Sequence, residues 1–114
     1  MKHATYARSA TTEPETLDRQ RAALAAAYPS PVAHYEDAGH SGLSDPHDWP
    51  GLSRLLADAQ AGDFDLLVIA SVSRLSRAPE RLRTILAELA EAGVRVFDLS
   101  LGREVEPDEI RPGI

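Results

Sequence analysis

The sequence predicts an α/β domain: a mostly parallel sheet of four to five strands with helices on both faces. Two observations lead there. Short β-rich runs alternate with helical patterns along the whole chain, in the order β-α-β-α-β-α-β, and the helical patterns carry start and stop signals, proline at their beginnings and glycine just past two of their ends. Right-handed crossovers between successive strands then give a largely parallel sheet covered on both sides.

The first strand is "HATYAR" (3–8). A helix over 14–27 follows, where Thr12 and Glu15 have capping-box spacing and Leu17, Ala23, Leu24 and Ala27 can share an apolar face. "VAHYED" (32–37) reads as the second strand. The second helix runs from about Pro50 to Ala61, with Asp48 as its cap, Leu52, Leu55, Leu56 and Ala59 facing inward and Gly62 as its stop. "FDLLVIA" (64–70) is continuously apolar, as a central strand buried on both faces must be. Leu82, Ile85, Leu86 and Leu89 repeat at helical spacing in a third helix over 79–92 that Gly93 ends, and "VRVFDL" (94–99) is the fourth strand. The domain boundary falls at 104, and the acidic, proline-containing residues 105–114 read as a loose tail. There is no internal repeat and no low-complexity linker.

At 114 residues the chain has room for one core, so every motif belongs to one site. No apolar run reaches the roughly 18 residues of a membrane span, and "MKHATYARS" lacks the apolar middle of a signal peptide. The expected location is cytoplasmic. Zero cysteines exclude disulfides, thiol catalysis and thiolate metal sites. A net charge of −6 argues against binding nucleic acid by bulk electrostatics, so any phosphate contact must come from local arginines.

In such sheets ligands sit beyond the carboxyl ends of the strands, and polar residues collect there: "RSATT" after the first strand, Asp37 and "AGHSGLSDPHD" after the second, "SVSRLSR" after the third. Arg74 and Arg77 share one side of a turn, and Arg8 joins them from the neighbouring strand end. Guanidinium forks match phosphate oxygens. On spacing alone, ion pairing with the chain's acids is the more frequent arrangement for such arginines.

The motifs together carry further. "YARSAT" followed by "LDRQ", then "YEDAGHSG", "WPGL", "SRLSR" before a leucine-rich helix, and "GVRVFDLSLGRE" resemble, in order and spacing over roughly residues 4–104, the catalytic domain of the serine recombinases, the resolvase and invertase family. The resemblance implies a resolvase-like fold and cofactor-free cleavage of a DNA phosphodiester by a serine near the end of the first strand, through a 5′-phosphoserine link. It assigns phosphate binding to Arg8, Arg74 and Arg77 and supporting polar roles to Gln20 and Asp37. DNA backbone, weakly held without a separate DNA-binding domain, and a related recombinase are the partners it implies.

Three positions depart from the family pattern. The nucleophile is expected at position 10, which is Ala10; Ser9 precedes it, but adjacent side chains of a strand face opposite ways. Trp49 stands where the family has an arginine, and Ser73 where it has an aspartate. Thr11 matches a family threonine that is not the nucleophile. Three readings follow: a degenerate recombinase domain inactive in cleavage, an active enzyme whose natural serine was changed at position 10 or which uses Ser9, or a protein-interaction module. The family's long dimerising helix and DNA-binding domain are not encoded before Ile114, so a fragment or relic, mainly monomeric or weakly dimeric, is expected.

The remaining candidates are weaker. His40, Asp45, His47 and Asp48 could ligate a divalent ion, but a solvated loop accounts for their irregular spacing better. Trp49 reads as a staple or core edge, with a stacking platform as the alternative. A receiver domain would need acids where Arg8 and Ser9 stand; a flavodoxin-like site has only a partial match in "SATT"; and no Gly-x-Gly-x-x-Gly motif is present.

Overall fold

The computed structural model describes residues 2–10 and 14–110. Five strands, β1 (His3–Ser9), β2 (Ala33–Ala38), β3 (Leu66–Ile69), β4 (Arg95–Asp98) and β5 (Arg103–Glu104), form one sheet in the order β2-β1-β3-β4-β5. All pairs are parallel except β4 with β5. Helices α1 (Pro14–Ala27), α2 (Pro50–Gln60) and α3 (Pro79–Glu91) are the crossovers.

Alternation along the strands divides the core in two. Ala4 and Tyr6 of β1, Leu67 and Ile69 of β3, and Val96 of β4 pack with Leu52, Leu55 and Leu56 of α2 and Ile85, Leu86 and Leu89 of α3. Ala7, Leu66 and Val68 turn the other way, against Leu17 and Leu24 of α1. Helices therefore cover both faces, as the sequence predicts.

Three expectations need correction. Ala23 and Ala27 are exposed; α1 lies alone on its face, and among its described side chains the buried stripe is Leu17, Gln20, Leu24. The cap of α2 is not Asp48, which is exposed within a 3₁₀ turn at Pro46–Asp48. Asp37 reaches across from β2 instead, accepting from Gly51 N (2.7 Å) and Leu52 N (2.9 Å). The residues after 104 are not loose as far as they are described: Val105 is buried in the core, Ile110 packs against it, and Arg83 of α3 donates through Nε to the Ile110 carbonyl at 3.1 Å. Val105 and Ile110 give this segment the apolar anchors that its acidic composition obscures. The Thr12–Glu15 capping box and Thr11 lie outside the described residues.

No helix among the described residues is long and apolar enough to cross a membrane.

Candidate active site between the ends of β1 and β3

The chain leaves β1 toward one edge of the sheet and β3 toward the other, so the crevice between their carboxyl ends is the sheet's topological switch point. β1 delivers Arg8, Ser9 and Ala10 there. β3 leads into a 3₁₀ turn at Val72–Arg74 and then Arg77, just before α3.

Arg8 is 2% exposed. β3 pairs with β1 only as far as Tyr6, so the backbone of Arg8 lacks a strand partner on that side. Gln20 of α1 substitutes: its Oε1 accepts from Arg8 N (3.1 Å) and its Nε2 donates to Arg8 O (2.8 Å). The guanidinium donates to three carbonyls, Nε to Arg74 (3.0 Å), Nη1 to His40 (2.6 Å) and Nη2 to Ser73 (2.8 Å). Trp49 covers it, with the Arg8 Cζ 5.0 Å from the ring centroid. Burial pushes the Arg8 pKa below its ordinary value, and the nearby positive charges of Arg74 and Arg77 push the same way.

Arg74 returns the contact, donating from Nη1 to Arg8 O at 3.0 Å. Arg77 is exposed, and its guanidinium has no hydrogen-bond or ion-pair partner among the described residues. Gly42 lets the arginine stems and the loop after β2 meet: a Cβ there would overlap Arg77 Cγ and lie 2.7 Å from Arg8 Nη2. Its carbonyl accepts from Arg77 N at 2.7 Å. Asp98, buried at the end of β4, accepts from Val72 N at 2.9 Å and so fixes the turn that carries Arg74.

Of the residues expected at the site, Arg8, Arg74, Arg77 and Gln20 are brought together. Asp37 is not spent on an arginine; besides capping α2 it accepts from the Tyr6 hydroxyl at 2.7 Å. Ser9 is 1% exposed, and strand alternation puts it on the α1 face with Ala7, away from Arg8. Ala10 is exposed in the bend past β1. Trp49 is 1% exposed with its Nε1 donating to Ser44 Oγ at 2.9 Å, so it is a core residue and offers no platform to a base. His47 pairs with Asp45 and Glu88, and no group of three metal-ligating side chains exists among the described residues. Gly42 and Asp98 went unrecognised in the sequence, although Gly42 lies inside the quoted "YEDAGHSG".

Residues 3–110 match the family model "Resolvase, N terminal domain". The fold is similar to the N-terminal catalytic domain of TP901-1 integrase, with 25% identity and a TM-score of 0.81 over 91% of this chain and 82% of that one. It is also similar to a resolvase family site-specific recombinase from Streptococcus pneumoniae (23% identity, TM-score 0.71, 91% and 75% covered). A serine recombinase from Sulfolobus solfataricus is a third neighbour (23% identity, TM-score 0.73, 95% and 73% covered). A search of curated proteins finds no sequence match. A switch-point arginine cluster on this five-stranded sheet, together with a family match over nearly the whole chain, makes the chain a member of the resolvase N-terminal domain family, the catalytic domain of the serine recombinases.

Proposed function

We propose that this serine-recombinase domain holds a DNA backbone phosphate through Arg77 and Arg74 and does not cleave it. The observation that carries the proposal is at the end of β1, among the described residues: position 10 is alanine, and Ser9 is buried on the opposite face from Arg8. Arg77 has a whole guanidinium to offer, Arg74 has spent one Nη1 donor, and Arg8 has given three donors to carbonyls. Arg8 then acts as the charged floor of the phosphate site and Arg77 as its exposed fork.

A DNA suicide substrate tests this. No protein–DNA adduct on denaturing gels is expected, with or without metal. Ala10→Ser alone is expected to leave cleavage absent, because Trp49 and Ser73 also depart from the family pattern. An adduct mapping to Ser9 would overturn the proposal. Efficient cleavage by Ala10→Ser would show instead a site intact but for one serine.

A further inference from the structure

On the α1 face of the sheet, away from the arginine cluster, side chains of β1, β2 and α1 form a continuous hydrogen-bonded relay. The register of β1 with β2 sets Thr5 beside His34. Thr5 Oγ1 lies 2.6 Å from His34 Nδ1, and His34 Nε2 lies 2.6 Å from Glu36 Oε2. Arg21 of α1 grips both oxygens of Glu36 through Nε and Nη2, and Asp18 through Nη1.

The polarity of the relay follows from its acid end. Arg21, and after it His34, hold the Glu36 carboxyl below its ordinary pKa, and an ionised carboxylate only accepts hydrogen bonds. In the neutral imidazole, Nε2 therefore carries the proton and Nδ1 is bare, so the Thr5 hydroxyl donates to Nδ1. A hydroxyl, an imidazole and a carboxylate ordered this way constitute an alcohol beside a positioned base. Thr5 is 2% exposed, yet with Leu24, Ala25, Tyr28 and His34 it lines a groove of about 160 Å³. That volume, mostly apolar in lining, suits a benzene-sized group or a short acyl chain.

We propose that Thr5, His34 and Glu36 form an acyl-transfer site for small activated esters. Thr5 Oγ1 bonds to the ester carbonyl carbon while its proton passes to His34 Nδ1. The bond to the leaving oxygen then breaks, and that oxygen takes the proton from His34. Water, deprotonated by His34, afterwards attacks the Thr5 ester, releasing the carboxylic acid and restoring the hydroxyl. Thr5 lies opposite both His34 and Val68 in the sheet, so its backbone is committed to the ladder and Arg21 is the cation that lines the groove. Turnover is accordingly slow, and the acylated threonine is the species to observe.

The test is incubation of the whole chain with 4-nitrophenyl acetate, acid quenching, and fragmentation of the peptide that holds Thr5. A single acetyl group on Thr5 is expected. Thr5→Val should abolish it, Thr5→Ser should retain it, and Glu36→Gln should slow it on the order of a hundredfold, as loss of a general-base relay does. Arg54→Ala, exposed on α2 across the sheet, should leave it unchanged. Absence of label, label confined to Lys2, the N-terminus or His34, or Thr5 labelling unaffected by Glu36→Gln would each overturn the proposal. Thermal melting of each variant shows which retain the fold, and Thr5→Ser decides where Thr5→Val does not.

Discussion

Arg8 and Arg77 look equivalent as charges and differ wholly as residues. Arg8 is buried with three carbonyl acceptors, so Arg8→Met orphans all three and should cost about 3 kcal/mol or more, at 1–3 kcal/mol for each buried unsatisfied group less what local relaxation recovers. Arg77→Ala removes an exposed group that is unpartnered among the described residues; denaturant melts should move by less than about 0.5 kcal/mol, while binding of inorganic phosphate or DNA is lost. If Arg77→Ala binds phosphate as the parent does, the exposed-fork assignment is wrong. That Arg8, Arg74 and Arg77 approach one another was legible from strand order and motif spacing. That Arg8 would serve His40 and Ser73 carbonyls was not, because those acceptors belong to loops whose return to β1 depends on long-range packing. Ala10 and the orientation of Ser9 were legible, since both follow from position and strand alternation.

At the scale of elements, α2 is placed by a carboxylate from another strand. Asp37→Ala removes two N–H acceptors at the helix start and the Tyr6 partner, and should destabilise by about 2–3 kcal/mol, a cap of up to about 2 plus an orphaned buried hydroxyl. Gly51 is the companion constraint. A Cβ there would overlap Glu36 O and lie 2.9 Å from Asp37 Oδ2, so Gly51→Ala should cost about 1–3 kcal/mol by overpacking, read from urea midpoints. The 3₁₀ turn before α2 is tied to α3 by His47, whose pKa is raised chiefly by its hydrogen bond to Glu88 and further by Asp45. A raised folded value means that this link stabilises fully below the ordinary histidine range and fades as pH climbs through the raised value. The parent should therefore lose a small increment of stability over that window, and His47→Gln should flatten the loss; equal slopes would show the link to be inert. Helix extents were readable from periodicity and punctuation, and the four long strands from composition. The cap from β2, the two-residue β5 and the narrow stripe of α1 were not, because each is decided by a neighbouring element rather than by local pattern.

For the whole molecule, the order β2-β1-β3-β4 creates the switch point, and alternation on β1 then gives it two chemical faces: arginines under α2 and α3, and the Thr5 relay under α1. The alternation of elements made this architecture legible; the placement of β5 and of residues 105–110 depended on buried Val105 and on Ile110. The same distribution of burial bears on assembly. Large exposed hydrophobics among the described residues are Val32, Leu43 and Leu101, on the approach to β2, the loop after it and the β4–β5 turn, separate segments rather than one helix face. A stable dimer interface needs on the order of 1,200 Å² with an apolar centre, and three scattered side chains do not supply that centre. With a net charge of −6, copies also repel at low ionic strength. The chain is therefore expected to be monomeric at micromolar concentration in light scattering, at both low and physiological salt. A dimer that persists on dilution would mean that an interface forms from polar faces, and Leu43→Asp and Arg81→Glu, next to each other across the Arg81 Nη1 bond to the Leu43 carbonyl, would be the first variants to locate it.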